Sequence, residues 1–354
     1  MKILNFFLLL SFMVFLTMCK PETPIIDVPI LPTEPAKPEF SLKFLNLTQS
    51  PLPKEFFITK MLFDSKDKLW IATYAQGLYA FDTQTKTWQK FDFTSTSTGS
   101  SEKFTIETMD IDARDNIYML NRTLASNRFY KFDGINQALT IDSVLAKQLY
   151  MLKVDKTSDK VWIATENGVF EVKNGIKRLY NNPELMFRSR SFTQLFDMAV
   201  DSNGKLWVGG DDYLASFDNT TWQRFEVNRL ANSANNNMNV CVGKDNKIWS
   251  GVGSYFFSFD GNNVVNNLSD SLSKRNFSFP TANISPYSGN IFLSNFYNSL
   301  LYVNPIANTF KEVNRKNSNY PLGADYSIKT AFDSKGAVWV GGTNFIGELP
   351  ADIR

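Results

Sequence analysis

Short apolar stretches separated by turn-forming residues recur along most of this chain, and the clearest are aromatic at the centre. Lys68-Leu69-Trp70-Ile71-Ala72-Thr73 is the first, and later copies centre on Tyr118, Trp162, Trp207, Trp249, Phe292 and Trp339. The spacings are 48, 44, 45, 42, 43 and 47 residues, a near-constant pitch that marks a repeat architecture. Six residues before the anchor lies Asp64, Asp112, Asp201 or Asp333, and in the third copy Asp155 is displaced by one. Between Asp and anchor lie sequences such as Ser65-Lys66-Asp67-Lys68 and Ser202-Asn203-Gly204-Lys205, which suit a tight hairpin. Two residues after the anchor, on the same strand face, is usually something small: Ala72, Ala164, Gly209, Gly251, Ser294 or Gly341, with Leu120 the exception.

Three further strands complete each unit. One precedes the Asp, as in Ile58 to Phe63, Leu195 to Val200 and Ile328 to Phe332. One follows the anchor and often ends in Phe-Asp, as at Phe81-Asp82, Phe217-Asp218 and Phe259-Asp260. The last is clearest in Trp88 to Phe91 and Trp222 to Phe225. Four antiparallel strands per unit of about 42 residues predict propeller blades. Middle strands apolar on both faces, such as Leu206-Trp207-Val208, fit blades sandwiched between neighbours. The expected fold is therefore all-β, a seven-bladed β-propeller over residues 40–354. Its seventh unit lacks a fourth strand, and the orphan segment Phe40 to Leu47 is expected to fill that vacancy. This pairing of the two ends would protect edges that otherwise invite aggregation.

The N-terminus follows a different pattern. Met1-Lys2 is a short basic start, and Ile3 to Thr17 is almost wholly apolar, as in a secretory signal. The run ends in Leu16-Thr17-Met18-Cys19, which resembles the lipobox of bacterial lipoproteins, although Met18 departs from the small residue usual there. Residues 1–19 are thus read as a lipoprotein signal ending at a lipidated Cys19. Prolines at 21, 24, 29, 32, 35 and 38 make residues 20–39 a semi-extended tether. The expected location is the bacterial cell envelope, with the membrane reached through the lipid only.

Composition removes several chemistries. The chain of 354 residues contains no His, which excludes Ser-His-Asp and Cys-His catalysis and His-ligated metals. Cys19 and Cys241 are its only cysteines, too few for a zinc site without His. A net charge of +2 offers no footprint for nucleic acid. No cofactor and no metal are implied, and a monomeric domain is expected.

"Asp64-Ser65-Lys66-Asp67-Lys68-Leu69-Trp70-Ile71-Ala72-Thr73…Gly77-Leu78-Tyr79…Phe81-Asp82" and "Asp201-Ser202-Asn203-Gly204-Lys205-Leu206-Trp207-Val208-Gly209-Gly210" resemble the two-component-regulator propeller repeat. The resemblance covers roughly residues 55 to 350, with copies two, five and six degenerate. In that family such repeats build periplasmic sensor domains of hybrid histidine kinases, often reading carbohydrate. It implies the propeller fold and an extracytoplasmic binding role, here in a stand-alone lipoprotein.

The recurring Trp anchors and Asp turns are expected to be scaffold, the turns accepting local amides rather than holding calcium. Non-repeating loop positions are the candidate ligand contacts: Tyr74, Gln76, Arg122, Glu166, Asp211, Asp212, Tyr213, Tyr255, Tyr297 and Asn344. Phe296, Phe345, Arg188 and Arg190 share that face. Aromatics beside amides and acids suit a glycan, peptide or partner protein. Cys241, between Val240 and Val242, reads as a buried inert thiol. The expectation is a binding module that is not an enzyme. The alternatives are a lyase- or lactonase-like enzyme with a metal held in the central channel by first-strand acids, and an architectural envelope component.

Overall fold

The structure is a computed structural model. It describes residues 39–350 except 92, 94–104, 123–126, 135–139, 142–147, 183–184, 186–196, 211–212, 227–238, 253–254, 267–280, 296–298, 315 and 320–327. The signal, Cys19 and the proline-rich stretch lie outside the described residues, as do Asp211, Asp212, Phe296, Tyr297, Arg188 and Arg190. The described strands, β1 to β28 in chain order, form seven four-stranded antiparallel sheets. Blade 1 consists of β2 (Ile58–Phe63), β3 (Lys68–Thr73), β4 (Gly77–Asp82) and β5 (Trp88–Phe91). Blades 2 to 6 repeat this order, and every aromatic anchor lies in the second strand of its blade.

The repeated Asp explains the first hairpin of blades 1, 2, 4 and 7, whereas Gly243 and Ser285 take that turn position in blades 5 and 6. In Asp64, one carboxylate oxygen accepts the amides of Lys66 and Lys68, and the other accepts the Trp70 indole N–H at 3.0 Å. Asp201 and Asp333 do the same, reaching Trp207 at 3.2 Å and Trp339 at 3.3 Å. Asp112 takes the Tyr118 hydroxyl instead, at 3.3 Å. The six-residue offset is therefore the reach from turn to anchor ring across a two-strand hairpin. In blade 3 the displaced Asp155 bonds Thr157 and Ser158, and the buried Trp162 indole N–H finds no partner among the described residues. Positive φ at Asp67, Asp115, Asn246, Gly204 and Gly336 supplies the left-handed position that the turn needs. The second recurrent acid is also a turn builder, because Asp82, Asp218 and Asp260 each accept two amides of the next hairpin.

Apolar side chains pack between blades, not within them. One cluster unites Trp70, Leu78 and Ala80 of blade 1 with Ile106, Met109 and Met119 of blade 2, and an equivalent cluster fills each later junction. The last closes the ring, bringing Ile58, Met61, Ile71 and Tyr79 of blade 1 against Ala331, Trp339 and Ile346 of blade 7. Each fully buried aliphatic or aromatic side chain is worth about 1.5–3 kcal/mol. A Cβ at Gly341 would sit 2.7 Å from Met61 Sδ and 2.8 Å from Ile58 Cδ1, so the small residue after this anchor is required by the neighbouring blade.

Blade 7 is completed from the other end of the domain. β1 (Lys43–Phe44) pairs antiparallel with β28 (Phe345–Glu348), followed by β27 (Val338–Gly342) and β26 (Lys329–Phe332), giving the order β1-β28-β27-β26. The pairing is shorter than the expected Phe40 to Leu47. Upstream, Phe40 forms a parallel bridge to Ser318, and the Asn319 side-chain amide both donates to Leu42 O and accepts Leu42 N–H. That amide takes the place of a strand backbone, so the ladder with β28 begins only at Lys43.

Candidate functional site

Antiparallel order places the loop between second and third strands at the same end of a blade as the interblade connection. Several sequence-chosen loop residues brace that junction. Asn344, at φ 63°, accepts Phe56 N–H at 2.7 Å on its side-chain oxygen, locking blade 7 to the start of blade 1. Gln76 donates to Glu55 O at 2.8 Å, and Glu166 accepts Gln148 N–H at 2.7 Å. Tyr213 is buried, donates its hydroxyl to Leu185 O at 2.6 Å and lies under the Arg224 guanidinium. Phe345 is also buried, in the cluster between blades 6 and 7. Tyr74 is 58% exposed at the same end. Arg122 ends β7 (Ile117–Arg122) and Tyr255 begins β20 (Tyr255–Phe259); their side chains are outside the description.

The first strands of all seven blades surround a channel of about 350 Å³. They are β2, β6 (Ile106–Ile111), β10 (Leu149–Asp155), β14 (Asp197–Val200), β18 (Asn239–Val242), β22 (Thr281–Ile284) and β26 (Lys329–Phe332). Strand register sorts the lining into two tiers. Opposite the aromatic anchors, Asp110, Lys153, Ala199, Cys241 and Asn283 line the channel, while Leu62 and Ala331 at the same register pack into the clusters between blades. Two residues further toward the loop-bearing end stand Lys60, Thr108, Met151, Asp197, Asn239, Thr281 and Lys329.

Charge is unevenly placed in this lining. At the anchor tier, Lys153 Nζ lies 3.0 Å from Asp110, whose carboxylate also accepts Val154 N–H and Ile111 N–H. Burial opposes ionisation of Asp110, but Lys153 and the Val154 amide hold its pKa below the usual carboxylate range. Asp110 in turn raises the pKa of Lys153. At the outer tier, Lys329 of blade 7 and Lys60 of blade 1 are ring neighbours across the closure, whereas Asp197 of blade 4 stands across the channel. Burial raises the Asp197 pKa, and its oxygens accept Met198 N–H at 2.9 Å and Val240 N–H at 3.1 Å. Burial first, then the Lys60 charge, brings Lys329 down to about 8. Lys60 is lowered as well, by burial and then by Lys153.

Sequence reasoning chose the rim and missed these lysines. The signal was available as charges set within otherwise apolar first strands, as in Ile58-Thr59-Lys60-Met61 and Leu152-Lys153-Val154. Of the first-strand acids that the alternative reading with a channel metal would use, Asp110 is engaged by amides and Lys153 and Asp197 by amides, and no group of three potential metal ligands gathers among the described residues. Cys241 is buried, and burial pushes its thiol pKa well up. No helix among the described residues is long and apolar enough to cross a membrane.

No protein-family model matches the chain, and no curated protein does. Solved structures do. A streptogramin B lyase shares 13% identity at a TM-score of 0.69, over 88% of this chain and 97% of that one. The extracellular domain of a putative hybrid two-component system from B. thetaiotaomicron gives 16% identity and 0.63, over 87% of this chain and 42% of that one. PorZ, a bacterial surface component of the type-IX secretion system of Porphyromonas gingivalis, gives 11% and 0.61, over 82% and 46%. At such identities the likeness establishes the fold and nothing finer. It nevertheless corrects one expectation. The reading that this chain is not an enzyme fails as an inference from its architecture, because the same fold carries a lyase. What the absence of His fixes is narrower: these 354 residues contribute no imidazole. The chain is thus a seven-bladed β-propeller, with an architecture shared by a lyase, the extracellular domain of a putative hybrid two-component system and a secretion-system surface component.

Proposed function

We propose that this protein is a binding propeller of the bacterial cell envelope, tethered by a lipid on Cys19, that takes a glycan, peptide or partner-protein segment into its axial channel from the loop-bearing end. The observation that carries this reading is the channel itself, a polar, charged cavity of about 350 Å³ bounded by all seven first strands. Its size falls in the range of small-ligand sites, and a few fixed polar groups converge in it. Tyr74 on the rim offers an exposed ring for a sugar or side chain to stack on. The basic start, short apolar run and Cys19 support export and anchoring. Extracellular and surface relatives of the same architecture fit that location.

The test probes glycan and peptide arrays with the full chain and then with a plugged variant. Thr281→Trp places an indole in the outer tier and is expected to weaken any array ligand at least tenfold, with the near-UV circular dichroism of the blades retained. A ligand indifferent to Thr281→Trp but lost in Tyr74→Ala would move the site out of the channel. For the anchor, radiolabelled fatty acid should enter the wild type and not Cys19→Ser; equal labelling of both would refute lipidation at Cys19.

A further inference from the structure

Blade 5 keeps a Trp anchor but lacks the carboxylate that serves it in blades 1, 4 and 7. In those blades the indole N–H of Trp70, Trp207 or Trp339 donates to the turn Asp at 3.0, 3.2 or 3.3 Å. The same Asp also accepts the amides two and four residues further on. In blade 5 the turn position is Gly243 and the anchor is Trp249. Trp249 is only 6% exposed, and its indole N–H meets no acceptor among the described residues. Asp245 fills part of the gap: its Oδ1 lies 2.6 Å from where a Cβ on Gly243 would be, and it accepts Lys247 N–H at 3.2 Å. It is a loose substitute. Its side chain is 53% exposed, and its ion pair to Lys247, at 3.3 Å, lies at the surface, where such pairs are weak.

The surroundings of this indole differ from those of the other unpartnered anchor. In blade 3 the Trp162 N–H is sealed between blades. Trp249 instead lines a pocket of about 370 Å³ between blades 5 and 6, at the turn end of the ring, which shares no lining residue with the axial channel. Two ammonium groups belong to its wall. Lys244 donates to Tyr287 O, a neutral partner that leaves its charge uncompensated, and Lys247 is held by Asp245 only at the surface. The other acid of the lining, Asp260, is turned to its own hairpin, where it accepts the amides of Asn262 and Asn263. Val265 of blade 5 and Ile306 of blade 6, both exposed, give the pocket an apolar lip.

We propose that this pocket binds a small aliphatic carboxylate, either a free acid or the C-terminus of a peptide. The ligand carboxylate takes the place that Asp64, Asp201 and Asp333 hold in their own blades. It accepts the Trp249 indole N–H and the Lys247 amide, displacing Asp245, and the freed Lys247 ammonium pairs with it. Its aliphatic body lies on Val265 and Ile306. A buried N–H without an acceptor costs free energy, and a carboxylate recovers that cost through a charge-assisted bond. The site is independent of any ligand in the axial channel.

The test is calorimetric titration of the full chain at pH 7 with isovalerate and, separately, with N-acetyl-leucine, the two arms distinguishing a free acid from a chain terminus. Saturable one-to-one binding of at least one is expected, with N-acetyl-leucinamide at least tenfold weaker than N-acetyl-leucine if the latter binds. Gly243→Asp builds the carboxylate into the chain, so it should weaken binding at least tenfold while the urea midpoint stays at or above that of the wild type. Trp249→Phe should weaken binding at least fivefold. Asp245→Ala removes the internal competitor and should tighten binding at least threefold, an outcome that misfolding does not produce. No saturable binding of either acid, or equal binding by wild type and a folded Gly243→Asp, would overturn the proposal. Binding lost in Thr281→Trp but kept in Gly243→Asp would place the acid in the channel and overturn it as well.

Discussion

At the scale of single residues, the Asp and Trp of blades 1, 4 and 7 form one unit. The carboxylate sets the hairpin with one oxygen and anchors the buried indole with the other, so neither residue is free to change alone. Blade 3 provides an internal control, because its displaced Asp155 leaves the Trp162 N–H without a partner among the described residues. Trp207→Phe and Trp162→Phe remove similar volumes, but only the first breaks a hydrogen bond to a carboxylate. Trp207→Phe is expected to cost about 1.5–3 kcal/mol more in urea unfolding than Trp162→Phe; equal costs would dissolve the pairing. The scaffold role of both residue types was legible in the sequence, because a ligand contact has no reason to recur at every anchor. The bond between them was less legible, since an offset of six residues has a meaning only once the hairpin is built.

At the scale of elements, strand number and order follow from the repeat, and the seam follows from what blade 7 lacks. The length of β1 was not legible. The Asn319 side chain intercepts Leu42, and nothing in the local pattern around Phe40 announces a contact with so distant a part of the chain. Asn319→Ala should lower stability by about 1–3 kcal/mol by leaving both Leu42 backbone groups without that amide, checked by denaturant titration. Deleting Phe40 to Leu47 from the full chain exposes the edge of β28. Self-association in sedimentation velocity is the expected outcome, and a stable monomer would show that β1 is dispensable. At Gly341 the neighbouring blade leaves no room for a side chain. Gly341→Val is expected to destabilise by about 1–3 kcal/mol through overpacking, with part of the loss recovered in combination with Met61→Ala.

At the scale of the whole molecule, the channel belongs to no single repeat, and for that reason it was the least legible feature. Each first strand contributes two to four lining residues. Their meeting depends on register and closure together, so Lys60 and Lys329 are neighbours only because the ring is shut. The rim residues drew attention as exceptions to the repeat, yet Asn344, Gln76, Glu166 and Tyr213 direct polar atoms to the interblade connections. Lys329 also gives the molecule a pH signature. Its folded pKa of about 8 lies below the ordinary 10.5, so between these values the unfolded chain binds the extra proton. Stability contributed through this group should therefore rise as pH climbs through that window, the penalty being fully present below about pH 8. The slope should be absent from Lys329→Met.

The most direct measurement follows the titration of the Lys329 ammonium by NMR in the wild type and in Lys60→Met. A closed ring with both lysines on its channel predicts a wild-type midpoint of about 8 that moves upward when the neighbouring charge is removed. An ordinary lysine midpoint near 10.5, the same in both proteins, would contradict the closed channel and the pairing of the two lysines across its seam.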